Sequence, residues 1–85
     1  MPHGVSRAEA EHVFLNRPLL VANDPGHSDD EMRYFALGRT DAARLLAVVF
    51  TLRGSRLRVI SARAMSRRER RFYAQAEAAE GDSPL

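Results

Sequence analysis

Eight arginines fall between Arg53 and Arg71, at positions 53, 56, 58, 63, 67, 68, 70 and 71, and the single acid among them is Glu69, for a local net charge of +7. A guanidinium presents a planar fork of donors that grips phosphate bidentately, and it stays charged at any physiological pH. A block of this density within folded elements forms a positive patch that attracts polyanions, with nucleic acid the first candidate. The gradient along the chain points the same way. Residues 1–52 hold five arginines against seven acids, net −2, and residues 53–85 hold eight against four, net +4. All thirteen basic side chains are arginine and none is lysine, a bias that reflects codon usage as well as phosphate chemistry. Position therefore counts for more than number.

The elements that carry this block can be read from spacing. Val5-Ser6-Arg7-Ala8-Glu9 starts a helix, because Ser6 can accept from the third helical amide while Glu9 reaches back to the Ser6 amide. Ala10, Val13 and Phe14 form its apolar face, and Asn16 to Pro18 stops it. Leu19 to Ala22 reads as a short strand, residues 23–30 as an acidic exposed loop, and Met32 to Leu37 as a second strand ended by Gly38. Arg44 to Thr51 is continuously apolar from Leu45 to Phe50, the pattern of a central strand covered on both faces. Arg53-Gly54-Ser55 is a tight turn. Arg56 to Ala62 follows as a fourth strand, with Leu57 and Val59 on one side and Arg56, Arg58 and Ile60 on the other.

The last element opens on a second serine box, Ser66-Arg67-Arg68-Glu69, carries an apolar stripe of Met65, Phe72, Ala76 and Ala79, and ends near Gly81. Helix, four strands and helix make an α+β domain, with an antiparallel four-stranded sheet and the N-terminal and C-terminal helices on one face. Residues 1–80 form this single domain and 81–85 a short tail.

Composition bounds the function classes. Eighty-five residues with 45% hydrophobic and 28% charged side chains suit one thin-cored globular domain. The chain has no cysteine, which removes disulfides, thiolate catalysis and cysteine zinc sites together. His27 with Asp24, Asp29 and Asp30 lacks any fixed ligand spacing, so no metal site and no cofactor are expected. The longest apolar run is too short for a membrane span, and the N-terminus lacks a signal-peptide pattern; a cytoplasmic protein is the expectation.

Five motifs recur in a familiar order. His3-Gly4-Val5-Ser6 precedes an acidic helix; Asp24-Pro25-Gly26-His27-Ser28 and the stretch from Arg33 to Gly38-Arg39 follow; Arg58-Val59-Ile60-Ser61-Ala62-Arg63 and Ser66-Arg67-Arg68-Glu69-Arg70-Arg71-Phe72-Tyr73 close the series. Over roughly residues 3 to 73 the chain resembles the BrnT toxins of bacterial toxin-antitoxin pairs. That resemblance implies a RelE-like ribonuclease fold and RNA cleavage that halts translation. It also implies neutralisation by a BrnA antitoxin, which itself carries the DNA binding, in a two-plus-two heterotetramer. Members usually carry a further strand before the histidine and a lysine just ahead of it; here Pro2 takes the lysine position, so a sheet edge that the strand would cover is expected to be free.

Metal-independent RNA cleavage needs a base for the ribose 2′ proton, donors for the phosphorane and a group to protonate the departing oxygen. Arginine suits only the middle task. Arg58, Arg63, Arg67 and Arg70 are the candidates for phosphate, with Arg58, Arg67 and Arg39 assigned to RNA binding and Arg63 and Arg70 to catalysis. Glu69 is the candidate base, Tyr73 a stacking platform or proton donor, and His3 an acid or base. Each has a plainer alternative. Glu69 fits a capping box, Tyr73 fits the core, and Arg63 could pair with an acid of Asp29-Asp30-Glu31. A non-catalytic module that binds antitoxin or nucleic acid is the competing function.

Overall fold

The computed structural model describes residues 4–24 and 32–81. Helix α1 spans Arg7–His12 and runs into a 3-10 turn, Val13–Leu15. Strands β1 (Leu20–Asn23), β2 (Arg33–Arg39), β3 (Leu45–Arg53) and β4 (Arg56–Ala64) form a sheet in the order β1-β2-β3-β4, each antiparallel to its neighbour. Helix α2, Arg67–Gly81, follows β4 after two residues. This is the expected α+β architecture of two helices and a four-stranded antiparallel sheet.

The helices do not share a face. Val5, Ala10 and Val13 pack with Leu46, Val48, Val59 and Ala62, whereas Tyr73 and Met65 pack with Leu37 and Ala47. Successive strand residues point to opposite faces, so Leu46 and Val48 of β3 look toward α1 and Ala47 between them looks toward α2. The continuous apolar run of β3 demands cover on both sides, and two helices on one face could not supply it.

One boundary, one alternation and one buried stripe differ from the sequence pattern for identifiable reasons. Gly38 lies inside β2: a Cβ there would meet the Val13 Cβ at 2.8 Å, so the missing side chain lets the 3-10 turn press onto the strand. The alternation expected for β4 breaks at Ile60, because Phe50 pairs with Val59 while Val49 pairs with Ser61. Ile60 is the extra residue of a bulge, and the shift keeps both Val59 and Ala62 in the core. In α2 the buried stripe centres on Tyr73, which is fully buried, whereas Phe72 is 60% exposed.

The two serine boxes also differ. At α1 the Ser6 hydroxyl accepts from the Glu9 amide, but the Glu9 carboxylate turns to Arg44, whose Nη1 donates to both oxygens at 2.9 and 3.0 Å. At α2 the box closes in both directions: the Glu69 amide donates to Ser66 Oγ at 3.2 Å, and the Ser66 amide donates to Glu69 Oε1 at 2.8 Å.

Candidate active site at the junction of β4 and α2

The two-residue link between β4 and α2 sets the site. Arg63 is the penultimate residue of β4, and Glu69 occupies the third position of α2, where the closed capping box fixes its carboxylate. Arg63 Nη1 and Nη2 donate to Glu69 Oε1 and Oε2 at 2.7 and 2.9 Å, a bidentate pair, and Nη1 also donates to the carbonyl of Ala64. The pair is reachable from solvent, with 44% of the Arg63 side chain and 20% of the Glu69 side chain exposed.

This contact dominates the electrostatics of the junction. The hydrogen bond from Arg63 is the main reason that the Glu69 carboxyl is held down to about 2, with the Ser66 amide adding to it against the opposing effect of burial. The same hydrogen bond raises the Arg63 guanidinium above its ordinary value. Glu69 is thus an ionised orienter of Arg63 in this state, with its oxygens facing three donors.

The other arginines fall into two groups. Arg63 pairs with Ala47 and Arg58 with Thr51, so the two stand on one face of the sheet, separated by about 13 Å at ~3.3 Å per residue of β3. Arg67 and Arg70 are exposed on the first turn of α2 beside Glu69. Neither they nor Arg58 closes an ion pair with a described residue. Arg39, by contrast, lies at the other end of α2, 3.6 Å from Glu77, and is not brought to this cluster. Arg63 takes Glu69 as its acid, while Asp29-Asp30-Glu31 lie outside the described residues, as does His3.

Tyr73 is completely buried, its hydroxyl donates to the carbonyl of Pro18, and burial is the first cause of its raised pKa. It braces α2 against the chain entering β1 and presents no ring to solvent. One arginine that composition did not single out joins the cationic face: Arg33 of β2 stands opposite Thr51 from the other side, so buried Thr51 sits between Arg33 and Arg58. Strand pairing, not sequence clustering, is the signal that finds it.

Against known proteins, a family model described as "Ribonuclease toxin, BrnT, of type II toxin-antitoxin system" matches residues 1–69. The chain belongs to this BrnT family. The match runs from the N-terminus through both helix caps and ends on Glu69, so the Arg63–Glu69 pair lies inside it and Arg70, Phe72 and Tyr73 beyond it. No curated protein and no solved structure matches the chain. The two helices on a four-stranded antiparallel sheet are consistent with the BrnT and RelE-like toxin fold. A type II toxin of this kind has an antitoxin as its partner. Among the described residues no helix is long and apolar enough to cross a membrane, and no group of three or more histidines or carboxylates could hold a metal ion.

Proposed function

We propose that this BrnT-family toxin is an endoribonuclease whose reaction is centred on Arg63 and Glu69. In the reaction that suits these groups, the ribose 2′ oxygen attacks the adjacent phosphorus and the bond to O5′ breaks, leaving a 2′,3′-cyclic phosphate and a 5′-hydroxyl. Arg63 stabilises the charge that develops on the phosphorane, and Arg58, Arg67 and Arg70 hold flanking phosphates. The observation that carries this reading is the bidentate Arg63–Glu69 contact, solvent-accessible and flanked on α2 by Arg67 and Arg70, which close no ion pair with a described residue.

Glu69 is a weak base while Arg63 holds it near 2. An RNA phosphate competes for the same guanidinium, and as Arg63 turns toward it the carboxylate regains basicity for the 2′ proton. His3 is the candidate acid for O5′, since the Tyr73 hydroxyl is engaged by Pro18. In the cytoplasm such cleavage halts translation, and a BrnA-like antitoxin, in a two-plus-two assembly, neutralises it.

Arg63→Ala tests this. It should lower cleavage of labelled RNA at least 100-fold and relieve growth arrest; cleavage at the wild-type rate overturns the assignment. The commitment of the Glu69 oxygens to three donors favours a second reading, a non-catalytic anion-binding module. It expects RNA affinity that falls steeply with salt and no product under any condition.

A further inference from the structure

An apolar trough of about 640 Å³ lies beside the Arg63–Glu69 pair. Leu20 and Ala22 of β1 stand opposite Leu37 and Phe35 of β2, so the four share the face that α2 packs on. Phe72, 60% exposed, forms the wall on α2, and Arg68, one turn before it, stands at the rim with Glu69. The outer side of the trough is β1, an edge strand. An apolar channel of this size, walled by a half-bare phenyl ring and bordered by the outermost strand of the described sheet, has the character of a partner surface.

We propose that this trough receives the antitoxin, through a segment that combines apolar side chains with carboxylates. The inference rests on the toxin-antitoxin membership of the chain and stands apart from the proposed cleavage chemistry. Charge complementarity selects the acidic character: Arg68 at the rim and Arg71 beside Phe72 close no ion pair with any described residue. A second copy of this chain fits less well, since a symmetric contact would set the same arginine rim against itself. An RNA base also fits less well, because the trough offers almost no donors or acceptors to read a base edge. Occupation would cover Glu69 at the rim, so docking and shielding of the Arg63–Glu69 pair are one event.

The test uses the full chain and its purified cognate antitoxin, with binding followed by calorimetry and RNA cleavage followed in parallel. Phe72→Asp should weaken binding at least 100-fold while leaving RNA cleavage within about threefold of wild type, giving a toxin that escapes neutralisation. Arg68→Glu, an exposed charge swap, should weaken binding about tenfold and decides the matter should Phe72→Asp fail to fold. Wild-type affinity in a folded Phe72→Asp or in Arg68→Glu overturns the proposal, as does absence of binding by the wild-type chain. Lost cleavage with retained binding would make the trough an RNA base platform, and a homodimer that Phe72→Asp dissociates would make it a self-association surface; both outcomes overturn it. Should the wild-type chain fail to cleave RNA, the proposed activity falls while the binding result still decides this inference.

Discussion

At the scale of single residues, the Arg63–Glu69 contact ties stability to pH in a determinate direction. The Glu69 carboxyl lies at about 2 in the folded chain, below the ~4.3 of an unfolded glutamate. A depressed folded value contributes stability that is present above the unfolded value and lost as pH falls toward the folded one. Glu69→Gln keeps a side chain able to accept from the Ser66 amide but removes the charge. At pH 7 the variant should be less stable by at most about 1 kcal/mol, because the pair is partly solvated. Urea titrations should show the gap between wild type and Glu69→Gln closing between pH 5 and 2; a gap that widens on acidification contradicts the role given to this contact. Gly38 supplies a second residue-scale prediction. Gly38→Ala places a methyl 2.8 Å from the Val13 Cβ, an overpacking cost of about 1–3 kcal/mol. Adding Val13→Gly, which removes that Cβ, should recover part of the loss attributable to the clash, and a double-mutant cycle with no coupling would show that the 3-10 turn yields freely.

At the scale of elements, the local signals and the long-range ones separate cleanly. Both helix starts were legible because a capping box is written in four consecutive residues, and the buried centre of β3 was legible because six apolar residues run together. The faces were not. A helix on one side of a sheet and a helix on the other have the same order along the chain, and only the β3 run, which needs both sides covered, encoded the answer. The bulge at Ile60 is hidden because it depends on pairing with β3, and the helical spacing that groups Phe72 with Met65, Ala76 and Ala79 leaves out Tyr73, the residue that the fold buries. The candidate site shows the same division. Arg63 and Glu69 were legible as types, but their mutual pairing required the two-residue turn between β4 and α2 to be folded. Ser66→Ala tests how far that turn depends on its cap. It should cost about 0.5–2 kcal/mol in denaturant unfolding. The variant keeps the backbone amide that donates to the Glu69 carboxylate, so cleavage should fall no further than stability explains; a larger loss would mean that the Ser66 hydroxyl itself helps to place the carboxylate beside Arg63.

At the scale of the whole molecule, the net charge of +2 conceals a sorted surface. Acids engage the arginines that hold the fold together: Glu9 takes Arg44 and Glu77 takes Arg39. Arg67 and Arg70 beside the Arg63–Glu69 pair, and Arg33 and Arg58 on either side of Thr51, are left without a described carboxylate. An arginine already held by an acid releases few counterions when a polyanion binds, whereas an uncompensated one releases its share, with about 0.7 in the slope of log affinity against log salt for each single-strand phosphate. Arg33→Ala and Arg58→Ala should therefore each reduce that slope by roughly 0.7 in RNA binding measured from low to physiological salt. Arg39→Ala, which only releases Glu77, should leave it unchanged. An effect of Arg39→Ala equal to that of Arg58→Ala would place the RNA path at the far end of α2. No effect of Arg33→Ala would confine the path to β4 and the first turn of α2, with the face around Thr51 left out of it.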